Sequence, residues 1–166
     1  MYIGAKRAAD GGCFGGKNGP AARALLAGAA LGTPASQMTN LAVTGTNGKT
    51  TTSYLVRSVI ETAGASCALV GTIVYSAGST TVDAPLTTPD ALTLAKTARE
   101  ALDSGTRYMM IEASSHALSQ HRLAGIAFTA AAFTNLTGDH LDYHKTPENY
   151  LAAKAMLFEA LPPHGM

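Results

Sequence analysis

The stretch Leu41-Ala-Val-Thr-Gly-Thr-Asn-Gly-Lys-Thr-Thr-Thr52 decides the fold. Its apolar beginning, residues 41–43, predicts a buried strand, and a loop with glycine at both ends follows at 45–48. Lys-Thr-Thr at 49–51 then opens a helical pattern. A strand, a glycine loop, Lys-Thr and a helix, in this order, are the layout of a phosphate-binding loop.

Each part of this loop has a physical role. Gly45 and Gly48 let backbone N–H groups approach a phosphate, and the new helix turns its positive end towards the anion. Lys49 supplies a charge for the outer phosphates, and the Thr50 hydroxyl can bind magnesium. The loop is shorter than the general pattern G-x-x-x-x-G-K-[ST], because Val43 stands where the first glycine would be. The residues predicted to bind the nucleotide are Gly45, Thr46, Asn47, Gly48, Lys49, Thr50, Thr51 and, from a later motif, Asn135.

Composition excludes several classes of protein. Apolar residues make up 46% of the 166 residues and charged residues 14%, which favours a buried α/β sheet over a disordered chain. The net charge of +1 provides no basic field for nucleic acid or an anionic membrane. No apolar run approaches the length of a membrane span. Cys13 and Cys67 lack metal spacing, so we expect reduced thiols and a cytoplasmic protein.

Strands and helices alternate along the chain. The pattern predicts strands at 40–44, 66–73, 107–111 and 126–134, a hairpin at 75–82, and helices at 20–31, 49–63, 88–104 and 147–160. Thr88-Pro89-Asp90 is typical of a helix start with Thr88 as the cap, and Thr146-Pro147-Glu148 repeats this signature. The expected fold is α/β, with a mostly parallel sheet and crossover helices.

Two further motifs follow strands of this sheet, at residues 112–122 and 134–144. Because ligands of open parallel sheets lie beyond the carboxyl ends of the strands, we expect both motifs to meet the phosphate loop there. Glu112 would then lie near Thr50 as a hard oxygen ligand for magnesium. An ordinary loop carboxylate is the alternative interpretation of Glu112.

These motifs together resemble the Mur ligases. Thr44-Gly-Thr-Asn-Gly-Lys-Thr-Thr51 resembles their ATP loop, and Asp139-His-Leu-Asp-Tyr-His144 resembles their Asp-His-Leu-Asp-Tyr-His signature. The pattern Ser-Ser-His-Ala-Leu-x-x-His-Arg, which begins at Ser114, is similar to the branch that adds the third residue of the peptidoglycan stem peptide. The resemblance implies a central domain like that of the phosphate-loop NTPases, which binds ATP.

The resemblance also implies roles for individual residues. It implies that the nucleotide-sugar peptide is bound by Thr87, Thr88, Ser114, Gln120 and Arg122. It also implies that two Mg²⁺ ions are bound by Thr50, Glu112, His140 and a carbamylated Lys154. The implied catalytic residues are Lys49, Glu112, His140 and Lys154. Two alternatives stay open, because Thr88 also suits a helix cap and Lys154 also suits a solvated helix face.

The implied reaction is ATP-dependent amide formation through an acyl phosphate. The substrates would be UDP-N-acetylmuramoyl-L-alanyl-D-glutamate and a diamino acid, with meso-diaminopimelate favoured over L-lysine. We expect a flexible segment or linker at 1–38 and a partial central domain at 39–166, a fragment that is inactive alone. A folylpolyglutamate synthase-type ligase and a non-catalytic nucleotide-binding remnant are the rival interpretations.

Overall fold

The computed structural model describes residues 19–163 and 165–166. Residues 1–18, which include Cys13 and nearly half of the segment predicted to be flexible, lie outside this description. The helices are α1 (Gly19–Ala30), α2 (Lys49–Thr62), α3 (Ala91–Asp103), α4 (Ser115–Ser119), α5 (Leu141–His144) and α6 (Pro147–Glu159), with a 3₁₀ turn at Pro34–Gln37. The strands are β1 (Thr39–Thr44), β2 (Cys67–Val70), β3 (Val74–Ala77), β4 (Thr80–Asp83), β5 (Tyr108–Glu112) and β6 (Phe128–Phe133).

Among the residues that the structure describes, six strands form one sheet in the order β4-β3-β2-β5-β1-β6. The four strands β2, β5, β1 and β6 are parallel, whereas β3 and β4 form an antiparallel hairpin on the β2 side. The mostly parallel α/β sheet predicted from the sequence is therefore confirmed. Its carboxyl edge collects the ends of β1, β5 and β6, which precede the three motifs.

Both faces of β1, β2 and β5 are covered, whereas β6 at the edge of the sheet is partly exposed. Val43, Leu69 and Met110 pack on the side of α2, whereas their neighbours along the strands belong to the larger core with α3 and α6. Continuous apolar strands follow from this arrangement, because neither face meets water. Among the described residues, no helix combines the length and the apolar character needed to cross a membrane.

Two local predictions were wrong. The strand predicted at 66–73 ends at Val70, because the chain reverses after Gly71 and begins β3, which leaves Ile73 exposed. Thr88 does not cap α3. Asp90 is the cap, since its side chain accepts hydrogen bonds from the backbone N–H groups of Leu92 and Thr93.

Candidate nucleotide and metal site

The loop between β1 and α2 forms a cradle for an anion. Gly48 precedes α2 with a left-handed backbone (φ 83°), and no side chain of residues 19–163 or 165–166 caps the helix. The N–H groups of the first turn therefore face the rim of the sheet, where the helix dipole favours negative charge. A Cβ on Gly45 would lie 1.9 Å from Thr134 Oγ1, so only glycine fits at this position.

The segment after β6 lies against the outer side of the loop and is hydrogen-bonded to it. The carbonyl oxygen of Asn135 accepts a hydrogen bond from Thr46 N at 2.9 Å, and its Oδ1 accepts one from Asn47 N at 3.1 Å. Thr134 Oγ1 donates to Asn47 O at 2.6 Å, and Thr46 Oγ1 donates to Thr137 O at 3.0 Å. Asn135 thus contacts the phosphate loop itself, and its direct contact with the nucleotide stays a prediction.

Glu112, at the end of β5, is completely buried and accepts four hydrogen bonds. Its Oε2 accepts from Thr50 Oγ1 and Thr72 Oγ1, both at 2.9 Å, and its Oε1 accepts from Ser53 Oγ and Thr72 N, both at 3.2 Å. These donors compensate the hydration that the carboxylate loses on burial. Glu112 is therefore not a solvated loop carboxylate, and its role as a metal ligand stays a prediction. The Thr50 hydroxyl and the Glu112 carboxylate form a set of hard oxygen donors that suits magnesium.

Two lysine ammonium groups converge on carbonyl oxygens of the same loop. Lys49 Nζ donates to Gly45 O at 3.0 Å and to Thr46 O at 2.8 Å. Lys154 Nζ, from α6, donates to Gly45 O at 2.7 Å. Lys154 is only 1% exposed, so the alternative of a solvated lysine on an amphipathic helix is wrong.

Burial alters the protonation of both lysines. Desolvation lowers the pKa of Lys49, although the charges of Glu112 and Asp139 oppose this effect. Desolvation, together with the nearby charge of Lys49, lowers the pKa of Lys154 to about 8. Lys154 therefore has a substantial fraction of free amine at a mildly alkaline pH.

His140 lies on the exposed part of the same rim, immediately before α5, with a left-handed backbone (φ 52°). Its ring centroid is 4.8 Å from that of His116 and 6.3 Å from that of Tyr150. Lys154 Nζ lies 4.3 Å from the centre of the Tyr150 ring, so Tyr150 adjoins both predicted ligands of the second metal. Within residues 19–163 and 165–166, no three His, Cys, Asp or Glu side chains gather as a metal site. A second magnesium at His140 stays a prediction.

The two threonines predicted to contact the substrate lie beside Glu112. Thr88 is buried, and its Oγ1 donates to Glu112 O at 2.6 Å and accepts from Ser114 N at 3.0 Å. Thr87 Oγ1 is 3.1 Å from Thr72 Oγ1, which itself binds the Glu112 carboxylate. The substrate motif and the candidate magnesium ligand are thus joined through direct hydrogen bonds.

Gln120 and Arg122 form a second pair near these threonines. Arg122 Nη1 donates to Thr88 O at 2.8 Å, while Nε and Nη2 donate to Gln120 Oε1 at 3.0 and 2.6 Å. Gln120 Nε2 donates to Tyr143 Oη at 3.1 Å. The guanidinium group is fixed in orientation by these contacts and retains two N–H donors for a ligand.

Three residues of this site were not predicted from the sequence: Thr72, Gly71 and Asp139. Thr72 provides two of the four hydrogen bonds to Glu112. A Cβ on Gly71 would lie 2.2 Å from Glu112 Oε1. The negative charge of Asp139 acts on both Lys49 and Lys154. The Gly-Thr pair directly after a buried strand was the signal that could have identified the first two.

A phosphate loop and a buried carboxylate, at the carboxyl edge of a parallel sheet, define a nucleotide-binding α/β domain of the phosphate-loop class. The profile of the Mur ligase middle domain matches residues 43–166. The chain therefore belongs to the Mur ligase family.

Similar proteins of known name indicate which branch of the family the chain resembles. The UDP-N-acetylmuramoyl-L-alanyl-D-glutamate--2,6-diaminopimelate ligase of Geobacter metallireducens is 46% identical over 140 residues, which are 84% of this chain and 27% of that protein. The protein of the same name from Aquifex aeolicus is 45% identical over 128 residues, 77% of this chain and 27% of its own. The chain thus spans about a quarter of the length of these relatives.

Solved structures agree with the fold. A ligase structure of the same name superposes with a TM-score of 0.64 and 40% identity, over 75% of this chain and 25% of that one. MurF from Acinetobacter baumannii superposes with a TM-score of 0.61 over 86% of this chain and 29% of that one. Its identity is only 18%, so it supports the fold alone.

Proposed function

We propose that this chain provides the ATP-binding part of a ligase that adds meso-diaminopimelate to UDP-N-acetylmuramoyl-L-alanyl-D-glutamate during peptidoglycan synthesis in the cytoplasm. ATP phosphorylates the terminal carboxylate of the dipeptide, and ADP leaves. The amine of the diamino acid attacks the acyl phosphate, and an amide forms with loss of phosphate. The names of the relatives favour diaminopimelate over L-lysine.

The observation that carries this proposal is the buried Glu112 carboxylate, hydrogen-bonded to Thr50 at the start of α2. A carboxylate and a hydroxyl at the mouth of a phosphate loop would hold Mg²⁺ there, since the ion prefers oxygen ligands. When bound, the ion neutralises charge on the transferred phosphoryl group. Phosphoryl transfer otherwise requires that the protein position its groups.

Lys49 acts on the same phosphates. Its ammonium group now donates to two carbonyl oxygens of the loop, and it can exchange them for phosphate oxygens by rotation of its flexible side chain. The uncapped N–H groups of α2 supply further donors. Together they bind and orient the triphosphate at the rim.

Lys154 is the residue that we propose becomes carbamylated. Reaction with CO₂ requires a free amine, and the lowered pKa of about 8 provides it. The product is an oxygen ligand in place of an ammonium group, and with His140 it would hold a second Mg²⁺. Relief of the buried positive charge next to Lys49 favours the modification.

On the substrate side, we propose that Thr87, Thr88, Ser114, Gln120 and Arg122 bind the nucleotide-sugar peptide. Their hydrogen bonds to each other and to Glu112 support this proposal, because they join the substrate motif to the candidate magnesium ligand. The two free N–H donors of Arg122 suit an anionic oxygen.

Calorimetric titration of the chain with a non-hydrolysable ATP analogue and Mg²⁺ tests the nucleotide site. We expect binding, and we expect Lys49→Ala to weaken it by about tenfold or more, since a charged hydrogen bond to phosphate is lost. Lys96→Ala, which removes an exposed lysine of α3, is the matched control. Equal affinities of the two variants would contradict the proposed role of the loop.

The substrate distinguishes this proposal from a folylpolyglutamate synthase-type ligase. UDP-N-acetylmuramoyl-L-alanyl-D-glutamate should bind the chain in the presence of the ATP analogue, whereas a reduced folate should not. Folate binding without binding of the nucleotide-sugar peptide would reverse the assignment.

A further inference from the structure

A cleft with two arginines in its lining opens beside the substrate motif, between α1, the start of α3 and the segment after α4. It has a volume of about 540 Å³, which is within the range of ligand sites. Its lining includes Pro20, Arg23, Leu86, Asp90, Gln120 and Arg122. Gln120 and Arg122 already belong to the proposed substrate site, whereas Arg23 has no role there.

The cleft is electropositive. Arg23 and Arg122 are its cations, and Asp90 is its one acidic group among the lining residues. The carboxylate of Asp90 is occupied by α3, because Leu92 N donates to it at 2.9 Å, Thr93 N at 3.0 Å and Thr93 Oγ1 at 2.7 Å. Neither guanidinium group forms an ion pair with it in the described part of the chain.

The two arginines differ in how they are held. Arg122 is fixed by three hydrogen bonds to Thr88 and Gln120. Arg23 is exposed, and it forms no hydrogen bond with any residue in the ranges that the structure describes. Its five N–H donors are thus available to a ligand that enters the cleft.

We propose that Arg23 is a further substrate-binding residue, which works with Arg122 to hold an anionic oxygen group of the nucleotide-sugar peptide in this cleft. The group is a carboxylate of the dipeptide or a phosphate of the UDP moiety, since both match the planar fork of a guanidinium group. This inference rests on the proposed function. It extends the substrate site to α1, which precedes the residues matched to the family.

Two ligands distinguish the source of the anion. N-Acetylmuramoyl-L-alanyl-D-glutamate carries the carboxylates without phosphates, and UDP-N-acetylglucosamine carries the phosphates without the dipeptide. We expect Arg23→Ala to weaken the binding of one of them by about tenfold in calorimetric titrations, because a charge-assisted hydrogen bond is lost. Arg23→Lys should recover part of the affinity, since it keeps the charge and loses the fork.

Arg99→Ala is the matched control. Arg99 lies on α3 outside the cleft and pairs with Asp103, so this variant changes the net charge equally without changing the cleft. Equal affinities of Arg23→Ala and Arg99→Ala for both ligands, or no binding of either ligand to the unmodified chain, would overturn the proposal. The titration with the ATP analogue is run in parallel. Nucleotide binding that depends on Lys49, combined with such a result, would leave the proposed function standing and reject only the role of Arg23.

Discussion

At the scale of single residues, the buried carboxylate of Glu112 leaves no room for a side chain at Gly71, a residue without a proposed catalytic role. Gly71 lies against the carboxylate, and a Cβ there would be 2.2 Å from Oε1 and 2.9 Å from the carboxyl carbon. Glu112 cannot move freely, because four hydrogen bonds fix it. A methyl group at Gly71 must therefore displace the carboxylate or the backbone.

We expect Gly71→Ala to lower the free energy of unfolding by about 1–3 kcal/mol, as overpacking in a core does. The same variant should weaken the Mg²⁺-dependent part of the binding of the ATP analogue, because Glu112 and Thr50 no longer converge. Denaturant unfolding and calorimetric titrations at several Mg²⁺ concentrations measure the two effects.

Gly28→Ala is the matched control for this variant. Gly28 lies within α1, and a Cβ there would have no atom within 4 Å, so alanine should stabilise the chain by about 0.5–1 kcal/mol. An unchanged Mg²⁺ dependence in Gly71→Ala would contradict the link between this glycine and the metal site.

Single residues also show which features of the site could not be predicted from the sequence alone. The chemistry of Glu112 and Lys49 follows from their positions after strands of a parallel sheet. The burial of Lys154 does not, because a lysine on a helix is normally solvated and only the packing of α6 against the loop removes it from water. Here the local pattern favoured a solvated lysine, and only the family resemblance, which implies a carbamylated Lys154, argued against it.

At the scale of elements, the two Thr-Pro signatures of the sequence have different outcomes. Thr146 caps α6, and its side chain accepts from Asn149 N as predicted. Thr88 instead turns its hydroxyl to the end of β5, and α3 begins two residues later with Asp90 as the cap. Both Thr88 and Asp90 are good caps, so the local sequence cannot decide between them.

Asp90→Ala should therefore destabilise the chain by about 1 kcal/mol, the usual cost of losing a helix cap. Asp90→Asn should cost much less, since an asparagine side chain also accepts hydrogen bonds from the first turn. Thermal unfolding monitored by far-UV circular dichroism measures both variants. Equal losses in the two variants would show that the charge of Asp90, and not its capping hydrogen bonds, stabilises α3.

Strand lengths were the less predictable part of the elements. The apolar run 66–73 contains one strand and the turn after it, because β2 ends where the Gly71 backbone meets Glu112. The turn depends on a contact with a residue about forty positions away in sequence. Periodicity within the run carries no information about such a contact.

At the scale of the whole molecule, the parallel topology assembles the site. Motifs after β1, β5 and β6 meet at one edge because these three strands are neighbours, as the alternation of strands and helices predicted. The cleft at Arg23 was not predictable in this way. It arises from the packing of α1 against the rest of the fold, which no motif in residues 19–30 encodes.

The burial of Lys154 also makes the stability of the whole chain depend on pH. Its pKa is 10.5 in an ordinary environment and about 8 in the folded chain, chiefly because of desolvation. Between these values the unfolded chain binds more protons, so the contribution of Lys154 to the free energy of unfolding increases as the pH rises. Below about pH 8 both states are protonated, and the cost of the buried charge is complete.

Lys154→Met removes the ionisable group and keeps a side chain of similar length. The melting temperature of the variant relative to the parent should therefore be highest near pH 7 and should fall steadily towards pH 10, as the parent loses its buried charge. Lys96→Met, at an exposed position of α3, should show no such trend. Loss of the hydrogen bond to Gly45 O also changes the melting temperature of the variant, by an amount that does not follow this titration. Only the slope of the melting-temperature difference against pH therefore tests the pKa. A constant difference across this range would mean that the ammonium group of Lys154 is solvated in the folded chain, and carbamylation at a near-neutral pH would lose its physical basis.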